Sequence, residues 1–222
     1  MYIWVVLATF MVLLYSFNLS VRNDMRALKI EPQAEVAVSK VIIQHQAAWN
    51  YIRYRTPPRN GQETITYDKG ELSCSTTLKD YLPYGYNCDD AYTSEIYCFR
   101  KDDWDTGIDD CKSKDAMRYL ITYGPIPQKW LNLSSNTPTN DLLNASRNIL
   151  GIDNSFGYAI ELDPSSPAAG GHDGTHKYKM AIRGREDNMV YLPNYVVENG
   201  GFKATCTNQN ARRCLVYVTP YE

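Results

Sequence analysis

The sequence predicts an α+β fold: a long N-terminal helix followed by a body built on an antiparallel sheet. Three observations predict it. A helical period runs through Glu35–Arg55, strand signals crowd the second half, and proline and glycine clusters separate the two regimes. With 222 residues and 44% hydrophobic composition, the chain suffices for one domain with an appendage and a substantial core.

The first element is an uncharged run from Tyr2 to Tyr15, extended by Phe17 and Leu19. A helix of about 18 residues rises about 27 Å, close to the hydrocarbon thickness of a bilayer. Tyr2 and Trp4 at one end and Tyr15 at the other suit an aromatic belt. No Lys or Arg precedes the run and no Ala-x-Ala site follows it, so an uncleaved anchor over residues 1–20 is expected rather than a signal peptide.

The amphipathic part is assigned to residues 21–55. Its apolar stripe, Val38, Val41, Ile42, His45, Trp49 and Ile52, recurs at steps of three and four, with a kink or break at Pro32. Thr56-Pro57-Pro58-Arg59-Asn60-Gly61 stops it. A helix from Gln33 to Arg55 is about 33 Å long, whereas a compact body of 165 residues is only about 30 Å across. The membrane-proximal turns are therefore expected to remain uncovered, leaving Val38, Val41 and Ile42 for a partner while Trp49 and Ile52 pack on the body.

The body occupies residues 56–222. A short helix is expected over Thr76–Leu82, ended by Pro83, and strands over Tyr92–Phe99 and Met117–Tyr123. Thr139 is a suitable N-cap for the helix Asn-Asp-Leu-Leu-Asn-Ala-Ser-Arg-Asn-Ile-Leu, and Gly151 a suitable stop. Strands follow over Phe156–Leu162, Lys177–Arg183, Met189–Leu192, Phe202–Thr205 and Leu215–Val218, with a loop from Asp163 to Gly174.

A net charge of −2 with 22% charged residues excludes a protein held to nucleic acid mainly by phosphate contacts. The six cysteines (Cys74, Cys88, Cys98, Cys111, Cys206, Cys214) contain no Cys-x-x-Cys motif and match no zinc spacing. Dispersed and even in number, they suit an oxidising compartment. Arg22, Arg26 and Lys29 after the anchor favour the opposite topology; the cysteines are given more weight. Cys206 and Cys214 flank a polar seven-residue loop between two expected strands, a spacing that brings them within disulfide reach. The other four allow three pairings.

Chemistry-bearing motifs are weak. Asp102–Asp110 packs five carboxylates around Gly107, and Asp103, Asp105 and Asp109 are candidate calcium ligands, but the spacing is not that of an EF-hand and a solvated acidic turn is expected. His172 and His176 have an H-x3-H spacing set among glycines, where a polar loop is expected. His45, on the apolar stripe, is expected to be packed or interfacial rather than a ligand. Gly-x-Ser-x-Gly, a Walker loop and GxGxxG are absent, and Ser113-Lys114 lacks the Ser-x-x-Lys spacing. A non-catalytic protein without a cofactor is expected. Eighteen tyrosines against five phenylalanines suit either a contact surface or ordinary sheet positions.

A membrane-embedded helix leading onto an α+β sheet, with a disulfide near the C-terminus, is similar to a type IV pilin. The chain departs from that pattern in lacking a basic leader and in carrying Val5 where mature pilins have Glu. Tyr81-Leu-Pro-Tyr-Gly-Tyr86, Tyr119-Leu-Ile-Thr-Tyr-Gly-Pro-Ile-Pro-Gln-Lys-Trp130, Asn140-Asp-Leu-Leu-Asn-Ala145 and Phe156-Gly-Tyr-Ala159 resemble the PilM proteins of type IVB thin-pilus and conjugation clusters. That resemblance covers most of the chain, with the region Cys74–Cys111 as an elaboration. It implies a pilin-like accessory protein of the bacterial inner membrane, single-pass through residues 2–19. Its body would lie in the periplasm and contact other pilus assembly proteins or pilins. The alternative is a membrane-tethered extracellular binding or adhesion module outside any pilus system; the sequons at Asn18, Asn132 and Asn144 carry little weight for it.

Overall fold

A stripe of small and branched residues, with no proline after Pro32, sets the first element. In the computed structural model, which describes residues 33–54, 69–88, 92–132, 137–150, 155–163, 178–184, 189–207 and 214–221, residues 33–54 form one helix, α1. A line of its buried positions, Ala34, Val38, Val41, His45, Ala48 and Ile52, recurs at alternating steps of four and three, with Gln44 and Ala47 buried beside it. Ile42 and Trp49 flank this line and are half-buried. The expected anchor over residues 2–19, the break at Pro32 and the stop at residues 56–61 lie outside the described residues. Among the described residues no helix is long and apolar enough to cross a membrane.

Seven strands follow among the described residues: β1 (Gly70–Leu72), β2 (Thr93–Arg100), β3 (Ala116–Pro125), β4 (Phe156–Glu161), β5 (Met180–Arg183), β6 (Met189–Leu192) and β7 (Cys214–Tyr221). They make one sheet in the order β1-β2-β3-β7-β4-β5-β6, with every neighbouring pair antiparallel. The α+β class with an antiparallel sheet is thus as the sequence predicts. The last strand joins two halves: β7 pairs with β3 from Arg118↔Tyr221 to Pro125↔Cys214, and with β4 at Phe156↔Tyr217 and Tyr158↔Leu215. Without it β1-β2-β3 and β4-β5-β6 would be separate three-stranded ribbons.

Three further helices lie among the described residues: α2 (Asn140–Leu150), α3 (Asn194–Glu198) and α4 (Gly200–Cys206). Strand alternation sends Tyr97, Phe99, Tyr119, Ile121, Tyr123, Val216 and Val218 to the face that packs on Val196, Val197, Phe202 and Cys206 of α3 and α4. The opposite residues of the same strands meet α1 and α2. Ala34, Val38 and Val41 pack in one cluster with Leu142, Ala145, Phe156, Tyr158, Ile160 and Leu215. Ala48 and Ile52 pack in another with Leu72, Leu78, Ile96, Cys98 and Leu120. Both faces of the central strands are therefore covered.

The structure corrects several sequence expectations. Phe202–Thr205 is helical, as part of α4, because the segment lies across β2 and β3 with the Gly201 amide bonded to Glu95. Thr76–Leu82 holds only a 3-10 turn at Lys79–Tyr81. Thr139 precedes α2 and its carbonyl accepts from Leu143 N at 3.3 Å. Its hydroxyl, however, is buried without a hydrogen-bond partner and caps nothing. The strand expected from Lys177 begins at Met180. Gly151 and nearly all of the 163–174 loop lie outside the described residues.

The largest correction concerns Val38 and Val41, both fully buried against the protein's own sheet and α2, and Ile42, packed beside them. They are not a free partner surface. A seven-stranded sheet is about 29 Å wide at about 4.8 Å per strand, a good match to a helix of about 33 Å. The α2 helix and the chain after β3 add cover at the N-terminal end.

Candidate functional site

The first turns of α1 do leave an opening, on a different side from the stripe. Gln33, Val36, Ala37 and Lys40 form one wall of a groove of about 510 Å³; Tyr92 and the corner Pro125, Ile126, Pro127, Lys129 and Trp130 form the other. This volume falls in the range of pockets that seat a ligand. Pro125 ends β3 and Pro127 precedes a 3-10 turn at Gln128–Trp130, which turns the chain back beneath the helix. Val36 is 59% exposed, while the Trp130 ring is buried and its Nε1 has no hydrogen-bond partner. Lys129 Nζ stands 5.3 Å from the Trp130 ring centroid and 3.5 Å from Gln33 Oε1. Lys40 and Lys129 are the charged residues among the described lining.

Behind it, α1 is registered on the sheet by polar contacts. Gln44 Nε2 donates to the Tyr92 carbonyl. His45 Nδ1 lies 2.9 Å from Thr122 Oγ1 on β3, and Nε2 lies 2.8 Å from Thr219 Oγ1 on β7. Its ring stacks on Tyr217 with centroids 4.0 Å apart. Ser94 Oγ joins the same chain, 2.9 Å from Thr122 Oγ1. As expected, His45 is a packed histidine: both ring nitrogens meet hydroxyls, which fixes where α1 sits on the two central strands.

A second polar cluster lies on the opposite face. Glu95 is buried, and its carboxylate accepts from Tyr97 Oη at 2.5 Å, Tyr123 Oη at 3.0 Å and Gly201 N at 3.1 Å. Tyr97 Oη accepts in turn from Phe202 N at 3.3 Å. Gly200 has φ +64°, and a β-carbon there would sit 2.4 Å from Glu95 Oε1 and 2.7 Å from Tyr97 Oη. The start of α4 thus closes directly over the carboxylate. All of these groups are engaged with one another, so the cluster works as a clamp holding α4 to the sheet.

Burial, together with the Glu95 charge, raises the pKa values of Tyr97 and Tyr123. Burial alone pushes Tyr86 to about 12, and burial with a smaller effect of Tyr86 pushes Tyr92 to about 12. A phenol whose folded pKa exceeds its unfolded value favours the native state while the unfolded phenol is still protonated. The stability it contributes is fully present below the ordinary value of 10.0 and is lost as pH rises towards 12. We expect cooperative alkaline unfolding in that window. Far-ultraviolet circular dichroism should be lost together with the growth of the phenolate band. Ionisation of the full complement of tyrosines near pH 10 with the fold intact would show that these four phenols are accessible.

All six cysteines are paired: Cys74–Cys88, Cys98–Cys111 and Cys206–Cys214. The expected pair joins the end of α4 to the first residue of β7; the flanking elements are a helix and a strand rather than two strands. Cys98–Cys111 forms because the chain after β2 folds back on it. Gly107 bridges Phe99, Arg100 N donates to Thr106 O at 3.0 Å, and Ile108 N donates to Cys98 O at 3.3 Å. Each bridge contributes about 2–4 kcal/mol by restricting the unfolded chain.

The acidic segment is a structured turn whose carboxylates diverge. Asp103 accepts from Asp105 N at 3.1 Å and Thr106 Oγ1 at 2.6 Å. Asp105 accepts from Asn194 Nδ2 at 2.7 Å. Asp109 pairs with Lys69 at 2.7 Å, and this neighbour lowers the Asp109 pKa. Among the described residues no three His, Cys, Asp or Glu side chains group as metal ligands. His172 and His176 lie outside those residues.

Of the tyrosines, Tyr92, Tyr97, Tyr119, Tyr123, Tyr158, Tyr178 and Tyr221 are core residues, whereas Tyr54 and Tyr84 are exposed. Tyr97, Tyr119, Tyr123, Tyr158, Tyr191, Tyr217 and Tyr221 are sheet residues. The groove was missed at the sequence level because its residues come from α1, the approach to β2 and the β3 corner. The only signal was the Pro125-Ile-Pro-Gln-Lys-Trp130 stretch, noted for its family resemblance. No family model, curated protein or solved structure matches the chain.

Proposed function

We propose that the chain is a non-catalytic, pilin-like component of type IVB pilus biogenesis, of the PilM type and linked to conjugation. It acts through protein–protein contacts from the bacterial inner membrane. Residues 2–19 form the single-pass anchor and the disulfide-bonded body stands in the periplasm, where it meets other pilus assembly proteins or pilins. The observation that carries the reading is the placement of α1. An amphipathic helix that follows an apolar run long enough for a bilayer lies along an antiparallel sheet. Three disulfides with no cysteine left over support an oxidising compartment. The motifs that resemble the PilM proteins supply the pilus assignment.

The topology is tested by fusing alkaline phosphatase to the C-terminus in a bacterial host and sequencing the N-terminus of the membrane-bound product. Phosphatase activity and a sequence starting at or next to Met1 are expected. An inactive fusion, with activity from a cytoplasmic reporter at the same position, would reverse the topology and follow the basic residues Arg22, Arg26 and Lys29 instead.

A further inference from the structure

The strand that joins the two halves of the sheet follows every other described element in the chain, and a disulfide ties its first residue to the helix before it. We propose that β7 is exchangeable between two copies of this chain while the Cys206–Cys214 bridge is open, and that closing the bridge fixes which copy's sheet it occupies. Nothing in this depends on the pilus reading.

Three observations carry it. First, β7 fills a slot between β3 and β4, paired with β3 from Arg118↔Tyr221 to Pro125↔Cys214 and with β4 from Phe156↔Tyr217 to Tyr158↔Leu215. Leu215, Val216 and Val218 are buried there, so an empty slot exposes core and its complement is this same strand, from either copy. A strand from a second copy makes the same contacts, which is why exchange is a low-cost route to a closed dimer. Second, the partner cysteine stays behind. Glu95 holds the Gly201 amide at 3.1 Å, the Tyr97 phenol accepts from Phe202 N at 3.3 Å, and the Phe202 ring packs on Tyr123. Cys206, at the end of α4, is thus fixed to the sheet of its own chain at the mouth of the slot, where Cys214 pairs with Pro125. Third, the bridge shortens the reach of β7. The cysteines are 8 positions apart, a stretch that spans about 27 Å when extended, yet the bridge holds their Cα atoms 5.7 Å apart. Open, the link allows β7 to enter a neighbouring slot; closed, it does not.

In an exchanged dimer Cys206 of one copy meets Cys214 of the other, so the same bond forms between chains and locks that product as well. Closing it uses a small-molecule disulfide as oxidant. One cysteine thiolate attacks that disulfide and releases a small thiol. The second cysteine then displaces the other small thiol, so two thiols are released for each bridge made.

The test needs no substitution. Equal amounts of nitrogen-15-labelled and unlabelled full-length chain are reduced and unfolded in detergent, mixed, and refolded with oxidised glutathione at increasing protein concentration. Monomer and dimer are separated and digested with trypsin without reduction. Lys79 separates Cys74 from Cys88, Arg100 and Lys101 separate Cys98 from Cys111, and Arg212 and Arg213 separate Cys206 from Cys214. The dimer should grow with concentration, and about half of its Cys206–Cys214 peptides should join a labelled half to an unlabelled one. Its Cys74–Cys88 and Cys98–Cys111 peptides should be uniform in isotope, because both members of each pair precede the exchanged strand. Chains oxidised before mixing should give no mixed peptide.

Cys206→Ser/Cys214→Ser, isolated without any unfolding step, gives a second reading: native circular dichroism with more dimer than the oxidised wild type at every concentration. No mixed Cys206–Cys214 peptide at any concentration would overturn the proposal, as would mixing spread equally over the three bridges. Mixing between chains already oxidised, or a folded double variant that stays monomeric, would overturn the role of the bridge as the lock.

Discussion

Val41→Asp is expected to unfold the domain. Val41 is fully buried among α2, β4 and β7 side chains, and its apolar cluster offers a carboxylate no cation. An uncompensated charge in such a place costs about 4–5 kcal/mol, which is comparable with the whole stability of many domains. Val36→Asp, five residues earlier on the same helix, should cost no more than about 0.5 kcal/mol because that side chain is 59% exposed. Urea unfolding of the two variants measures the contrast. A Val41→Asp variant as stable as wild type, yet unable to capture a partner, would restore the expectation that the buried stripe is a free surface.

Glu95→Ala should be nearly as damaging. The substitution removes the acceptor of two phenols and one amide, Tyr97, Tyr123 and Gly201. With about 1–3 kcal/mol for each buried donor left without a partner, and some relief from water entering, the expected loss is about 3–5 kcal/mol. Glu95→Gln retains one oxygen and should lose about half as much. Adding Tyr123→Phe to Glu95→Ala should cost little more, since the phenol has already lost its partner. Full additivity in that cycle would show that Glu95 and Tyr123 do not act together.

These two positions also show what can be read from the sequence. The central strands were legible because runs such as Tyr119-Leu-Ile-Thr-Tyr are bounded by turn residues and rich in sheet formers. Glu95, Ser94 and Thr122 were not recognisable as core, because helices cover both faces of the sheet. With both faces covered, the in–out alternation that identifies core positions disappears.

Val38 and Val41 were correctly placed on one stripe, but what covers that stripe depends on how the sheet is oriented beneath it. Treating the body as a ball of about 30 Å left out α2 and the β3 corner. The Phe202–Thr205 segment has the composition of a strand and is a helix, because Glu95, about a hundred residues away, holds the Gly201 amide. Cys206 and Cys214 were readable from their short spacing. Cys98 and Cys111 required the fold-back at Gly107, which only the paired structure displays.

The central claim is that this chain assembles pili from the membrane, and the most direct measurement is piliation of the organism that carries it. Its coding sequence would be deleted and then restored as the wild type. Surface pili would be counted by electron microscopy, with immunoblotting to show that the restored chain is present in the inner-membrane fraction. The account predicts no pili in the deletion strain and recovery with the restored chain. Normal piliation without the chain would contradict the account and favour a tethered binding module outside any pilus system.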